Sequence, residues 1–530
     1  MPEAAPPRAF PTVDVWLLFT LALGAYLRLQ YVTTPIAEAH TWRQITNADI
    51  ARNFSERSLN IFYPQVSWGG PSDAYVGMEF PLLQWLGAFA FRLSDDPEPI
   101  LRLIAITFSL TTIVGLYGLG TRLFGRPAGR AAAFLIAVSP SAVFFGRTFI
   151  SDTPMLCFSV LAVWGFAAYV ETASRRALTW GTIAAALACL VKIPAVIIFA
   201  PIAMLAFVAR RWSAVREYPL LAAIGLAIGA TAAWYWHADV LFHRTGLGQA
   251  IWHPSGAYSA DIAIAAGPMK TVSHWATAHQ LRDPEFYREM ATRIWGLHLT
   301  PPGCVLALIG LVGFWRQPKP AFAPLRRGRR LVVDAWLATV VLFILVSAEG
   351  NRYHEFHQLP LLPPAALYFG LAAGPLFDWG WIRARTTRVA AATAAMIALA
   401  ALGLHYFHRS GVVPMLFRPG ALNYRIINAG RAIEGATGPD QLVMTVEYAQ
   451  YGANSPLLLY RAHRKGWSFD LHSVTPHVLQ RLRVHEGARY FATTIWTELA
   501  QKHPDLARYL EAQRRIPLGL DEDVALFELN

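Results

Sequence analysis

The sequence predicts a mainly α, polytopic membrane protein of about eleven transmembrane helices, carrying a small α/β domain at its C-terminal end. Three observations point there. Hydrophobic residues make up 55% of the 530 positions and charged residues only 15%, where an ordinary soluble domain is roughly a quarter charged. Apolar runs of roughly twenty residues, the length of one bilayer crossing, recur over the first 410 residues. Short Arg clusters fall in every second connection between those runs, as in loops that face the cytoplasm. The formal net charge of +12 is therefore a topology signal and no nucleic-acid footprint.

The expected spans lie near 13–33, 100–121, 129–146, 152–170, 177–191, 193–209, 217–237, 301–316, 331–348, 359–377 and 388–407. No small-residue cleavage pattern follows the first run, which reads as a retained helix. The basic clusters are Arg122/Arg126/Arg130, Arg175/Arg176, Arg210/Arg211/Arg216, the stretch 316–330 and Arg383/Arg385/Arg388. They place the N-terminus in the cytoplasm, and an odd number of spans places the C-terminus outside. The intervening loops differ in kind: 34–99 is net acidic, 238–300 is balanced, and Glu349 to Gln358 is a short polar turn. Within 34–99, the apolar stretch 81–93 is too short to span and predicts a helix lying along the outer membrane surface. The mixed stretch 42–57 predicts another. Spans five and six are short and join at Lys192-Ile193-Pro194. Cys157, Cys189 and Cys304 sit in apolar runs as small core residues, without disulfide or metal spacing.

Beyond residue 410 the pattern changes. Strands are predicted at 442–446, 489–493 and 524–529, and helices at 427–435, 454–463, 475–485 and 497–513. The chain therefore divides into a membrane domain over 1–410 and an outer α/β domain over 411–530.

Candidate chemistry concentrates on the outer side. Glu38 follows the first span closely, where a base could meet an acceptor hydroxyl beside a donor whose lipid stays in the bilayer. His40 and Arg43 could orient a phosphate, Arg offering planar donors matched to its oxygens; Asp49 and Glu56 are alternative partners for Arg43. Glu79 precedes Phe80-Pro81, where an acid also suits a helix N-terminus. Arg147 and Asp152 flank a tight outer turn in which Asp152 could simply cap a helix. Lys192, at a membrane hairpin, needs an anionic partner, and a lipid phosphate supplies one. The run Asn351-Arg352-Tyr353-His354-Glu355-Phe356-His357-Gln358 sits between two spans. Arg352, Tyr353, His354 and His357 there suit a phosphate-binding surface better than a zinc site, since no third ligand stands at a telling distance.

These motifs resemble the family 39 glycosyltransferases of the GT-C fold, which include protein O-mannosyltransferases and the aminoarabinose transferases that modify lipid A. The chain is similar to a bacterial branch marked by His40-Thr-Trp-Arg43-Gln44 and Ile50-Ala-Arg-Asn53-Phe54. Further marks are Asn60-Ile-Phe-Tyr-Pro64, Glu79-Phe-Pro81-Leu82, Gly146-Arg147-Thr-Phe and His357-Gln-Leu-Pro360-Leu-Leu-Pro363. The resemblance implies a polyprenyl-phosphate sugar donor, an inverting single displacement and a catalytic acid in the first outer loop. It maps that acid to Glu38. The family's usual Asp-Glu pair is replaced here by Glu38-Ala39-His40, which leaves Glu38 and Glu79 both open as the base, with His40 beside them. Arg43, Gln44, Arg147, Asp152, Lys192 and the 352–357 segment are the implied donor-phosphate and substrate contacts. No metal or other cofactor is indicated.

The expected function is transfer of a hexosyl or pentosyl group from a polyprenyl-phosphate donor to a lipid, glycan or protein hydroxyl. The expected place is the outer face of a bacterial inner membrane. A lipid-linked sugar flippase and a whole-glycan ligase are the alternatives, and the absence of an internal repeat weighs against the first.

Overall fold

The computed structural model describes residues 14–249, 274–313, 323–378, 421–447, 455–471 and 474–530, with four isolated positions between 387 and 398. In chain order the membrane half contains α1 (Val15–Leu29), α2 (Thr41–Glu56), α3 (Leu82–Leu93), α4 (Glu98–Phe124) and α5 (Arg126–Val138). It continues with α6 (Pro140–Phe145), α7 (Asp152–Thr172), α8 (Arg175–Val191), α9 (Phe199–Arg210) and α10 (Tyr218–Thr245). Then come α11 (Pro284–Arg293), α12 (Thr300–Gly313), α13 (Ala323–Val346), α14 (Ala348–Tyr353) and α15 (Leu362–Ala373). Tighter turns at Ile193–Ile198 and Glu355–Leu361 lead into α9 and α15.

Among the described residues, five segments are long and apolar enough to cross a membrane: Glu98–Phe124, Asp152–Thr172, Ile193–Ala214, Tyr218–Thr245 and Glu355–Phe377. Pro284–His298 and Thr300–Gly313 add a sixth only as a pair bent by 104°. Several expected spans are thus shorter or broken helices. The 129–146 run is divided because Pro140 cannot donate to a continuing helix, and Ser139 caps the new start by accepting from the Ala142 amide at 3.3 Å. The span expected at 388–407 lies outside the described residues. Helices stand at both positions expected in the 34–99 loop, as α2 and α3, with α2 largely buried in the protein.

The two ends of the bundle differ. Arg130 binds Asp14 at 2.9 Å and the Phe377 carbonyl at 2.9 Å, while Arg329 and Arg122 share Glu171. The basic connections therefore gather at one end and the 34–97 loop at the other. Near the loop end, Arg28 of α1 is fully buried and donates from Nε to Ser109 Oγ at 2.8 Å. Its other donors reach four carbonyls at 3.0 Å each: Gly24, Ile136, Ala137 and Ala142. Three of these carbonyls border the α5–α6 break, where a helix end has lost its own amide partners. A buried guanidinium thus satisfies the interrupted backbone.

The C-terminal domain comprises α16 (Ala421–Ala436), β1 (Leu442–Val446), α17 (Leu457–Arg461), β2 (Gly466–Phe469), α18 (Pro476–Glu486) and β3 (Ala488–Thr493). It ends with α19 (Trp496–Lys502), α20 (Pro504–Glu511), β4 (Arg514–Ile516) and β5 (Ala525–Glu528). The sheet order is β2-β1-β3-β5-β4, with β2, β1 and β3 parallel and the last two antiparallel. The predicted helix over 497–513 is two helices, divided at His503-Pro504 because a residue before proline is pushed out of the helical region. The domain sits on the 34–97 loop. Gly466 donates to the Ser67 carbonyl at 3.0 Å, Gly70 donates to Gly466 at 2.8 Å, and Arg52 donates to the Tyr460 carbonyl at 2.7 Å.

Replacing Arg28 by Leu strands several buried carbonyls and should destabilise the fold by roughly 3–5 kcal/mol. The check is a lowered thermal unfolding midpoint of the detergent-solubilised protein; an unchanged midpoint would contradict this role.

Candidate active site

The loop end of the bundle is assembled around α2. Between α1 and α2 the chain turns sharply, and His40 occupies the left-handed region with φ 58° and ψ 25°. A residue with a Cβ holds that conformation only when its surroundings impose it. Here the surroundings are Phe356, 5.1 Å from the His40 ring, Phe145 at 5.7 Å, and Glu355, whose Oε2 lies 2.9 Å from His40 Nε2.

Phe356 is the hub. The rings of His354 and His357 lie 4.9 and 4.8 Å from it, and Lys192 Nζ stands 4.9 Å above its face. His274 joins through His357 at 6.0 Å. Lys192 also binds Asp152 at 2.5 Å, both side chains being buried. Arg43 extends over the Trp42 ring at 5.6 Å and acts electrostatically on His274, His354 and His357. It has no carboxylate at ion-pair distance among the described residues: Asp49, its expected alternative partner, is taken by Arg52 at 3.0 Å. Burial, reinforced by Arg43, pushes His354 down to about 3 and His274 down to about 4. The Nδ1 atoms of both rings are buried and make no hydrogen bond among the described residues.

The two candidate bases sit in contrasting surroundings. Glu38 is buried and held by Arg102 through both oxygens, with the Ala37 amide adding a third contact at 3.1 Å. Burial opposes its charge, but the Arg102 guanidinium, with Arg147 nearby, holds the carboxyl below the usual range. Glu79 is half-buried and makes no hydrogen bond or ion pair among the described residues. Its segment is fixed by neighbours: Phe80 donates to the Leu190 carbonyl at 2.9 Å and Trp234 to the Met78 carbonyl at 3.1 Å. Leu190 is two residues from Lys192, so Glu79 is tethered to the same helix end.

The other expected residues divide. Gln44 is buried and bonded to backbone, donating to Ala39 and accepting from the Phe149 amide, each at 3.3 Å. Arg147 is buried and donates to the Tyr31 carbonyl at 2.7 Å. Arg352 reaches outward to Asp283 and Glu289, and Tyr353 is exposed. Sequence reasoning missed Arg102 and His274. A lone guanidinium inside an apolar run was the available sign for Arg102, because such a charge demands a partner.

Residues 78–236 match the family described as dolichyl-phosphate-mannose-protein mannosyltransferase. ArnT from Cupriavidus metallidurans, solved with undecaprenyl phosphate bound, aligns with a TM-score of 0.64 at 12% identity, over 97% of this chain and 98% of that one. AglB from Archaeoglobus fulgidus, an oligosaccharyltransferase solved with an inhibitory peptide and a dolichol-phosphate, aligns with a TM-score of 0.55 at 16% identity. That match covers 94% of this chain and 72% of AglB. The chain has the GT-C glycosyltransferase fold. No curated protein matches the sequence. Within this GT-C fold, the matched stretch 78–236 holds Glu79, Arg147, Asp152 and Lys192.

The depressed histidines give a stability signature. Between about pH 6.5 and 4 the unfolded chain binds protons that the folded one refuses, so stability should fall as pH falls through that window. The slope is up to about 1.4 kcal/mol per pH unit for each such histidine. Thermal unfolding midpoints at pH 7, 6 and 5 should therefore decline in the native protein and decline less in His354→Asn; parallel curves would refute the assignment.

Proposed function

We propose that the protein transfers a sugar from a polyprenyl-phosphate donor to an acceptor hydroxyl, with inversion, at the outer face of a bacterial inner membrane. The supporting observation is what one end of a membrane bundle carries: a cation, Arg43, and a carboxylate, Glu79, each with no partner of opposite charge at ion-pair distance among the described residues. Lys192 and two imidazoles whose buried Nδ1 atoms make no hydrogen bond among the described residues stand at the same end. The end that holds them is opposite the basic connections, which by charge face the cytoplasm.

In this reading Arg43 and Lys192 hold the donor phosphate, the first as an uncompensated guanidinium and the second shared with Asp152. His354 and His274, kept neutral, offer hydrogen bonds without adding charge. Glu79 takes the proton from the acceptor oxygen as that oxygen attacks the anomeric carbon. The bond from that carbon to the phosphate oxygen breaks, and the lipid phosphate leaves with its charge against the cations. Glu38 is the weaker candidate for the base, because an ion-paired, acidified carboxylate is a poor proton acceptor. Its place with Arg102 is to fix the loop that carries His40 and α2.

Transfer by the purified protein from a polyprenyl-phosphate sugar, followed as release of the lipid phosphate, separates these roles. Glu79→Gln should lower kcat by about 10² to 10⁴ with an unchanged unfolding midpoint. Glu38→Gln should instead lower the midpoint. Full activity in Glu79→Gln would refute the base; no transfer by the native protein from any such donor would refute the reaction.

A further inference from the structure

A cavity lies away from this site, between the end of α2 and the C-terminal domain. Its volume is about 380 Å³, within the range of small-ligand pockets. Four cations line it: Arg52, Arg57, Arg464 and Lys465. Glu56 and Asp440 also line it and are exposed.

The cations are poorly compensated. Only Arg52 has a carboxylate at ion-pair distance among the described residues, Asp49 at 3.0 Å. Arg464 is buried, yet it donates only to neutral oxygens: Thr437 Oγ1 at 2.9 Å and the carbonyls of Thr437, Glu434 and His463 at 2.6, 2.8 and 3.0 Å. Arg57 Nη1 is buried without a hydrogen-bond partner, and the Lys465 ammonium makes no hydrogen bond or ion pair among the described residues. Burial lowers the proton affinity of Arg57 and of Lys465, and Arg57 adds repulsion at Lys465; Asp49, Glu56 and Asp73 offset this in part at Arg57, and Asp73 does so at Lys465. Like charges gathered in a partly dry cavity are unfavourable unless an anion joins them. Arg57 Nη1 and the Lys465 ammonium are donors that the exposed Glu56 and Asp440 do not reach at ion-pair distance among the described residues, and a phosphate or carboxylate would complete them.

We propose that this cavity binds the anionic group, phosphate or carboxylate, of an acidic saccharide. Arg43 and Arg57 are joined by α2 and stand about 21 Å apart along its axis. A molecule spanning both sites is therefore an extended one, and the cavity would hold the distal acidic unit of an oligosaccharide acceptor. That the anion is carried by a saccharide, and that the saccharide is the acceptor, rest on the transfer reading; binding of the anion does not.

Calorimetric titration of the full chain in detergent tests it, with glucose 6-phosphate, glucuronate and glucose as probes. At least one acidic probe should bind in a salt-sensitive manner, and glucose should not. Lys465→Gln and Arg57→Gln should each weaken that binding at least tenfold, Lys465→Arg should retain it, and Arg43→Gln should leave it unchanged. Lys465 is the more informative position, because its ammonium makes no fold contact among the described residues. Equal binding by Lys465→Gln and the native protein would overturn the proposal. So would glucose binding as tightly as the acidic probes, or loss of binding in Arg43→Gln alone. Intact anion binding in a protein that transfers no sugar would leave the cavity assigned and sink the transfer reading instead.

Discussion

Glu98 and Arg102 stand one turn apart on α4, and the contacts that fix the outer layer converge on them. Arg102 holds the Glu38 carboxylate and donates to the Thr34 and Pro35 carbonyls at 3.2 Å each. Glu98 accepts from the Ile36 amide at 2.6 Å and pairs with Arg461, whose other donor reaches the Ile36 carbonyl at 2.9 Å. One helical turn thus ties down both the chain leaving α1 and the C-terminal domain. Residues four apart share a helix face, so an acid and a base can serve two partners side by side. All these charges are buried or nearly so. Removing one member of a buried pair leaves the other unsolvated, at a cost of about 3–5 kcal/mol. The position of His40 and the direction of α2 follow from this anchor.

The electrostatics of the site follow from burial. An imidazole in contact with water would carry charge over part of the physiological range. His354 and His274 are withdrawn from water and stand near Arg43, so both stay neutral well below pH 6. Were they charged, they would compete with Arg43 and Lys192 for any anion and repel both cations. Neutral, each adds one donor and one acceptor. The arrangement keeps the imidazoles from adding charge beside Arg43 and the Lys192–Asp152 pair while offering adaptable hydrogen-bonding groups.

What the sequence disclosed depended on whether the deciding interaction was local. α2 and α3 and the strands at 442–446 and 489–493 rest on composition and periodicity within one segment, and each is present; of the apolar runs, five segments among the described residues are long enough to cross a membrane. β2 was not legible: Gly466-Trp-Ser-Phe469 is four residues long, and its strand character comes from pairing with β1. The site residues were found as types in a loop, and their partners were not. Glu38 is legible in the sequence as a candidate base, but its partner is not, because Arg102, 64 residues away, sits inside an apolar run. Arg43 was assigned possible partners nearby in sequence, yet Asp49 faces the other way toward Arg52 and Ser67. On one helix, positions six apart do not share a face. Local spacing could have excluded that pairing.

The breaks in the bundle explain why short helices coexist with a membrane fold. Backbone that departs from helix at membrane depth survives only when buried in protein or lining a cavity. The interruptions at Ser139-Pro140, at 294–299 and at 355–361 meet in space. His298 bridges all three, with Nδ1 2.9 Å from Ser141 Oγ and Nε2 3.0 Å from Gln358 Oε1, while its carbonyl accepts from Ser139 Oγ at 2.6 Å. The last of these segments carries Phe356 and His357, and the break after α8 carries Lys192. Lys192, His354 and His357 therefore project from backbone at the helix breaks, while Arg43 comes from within α2. A continuous helix would have satisfied its own amides and carbonyls and left no reason for Ser139, His298 and Gln358 to be there. Their mutual satisfaction is what makes irregular backbone tolerable within the bundle.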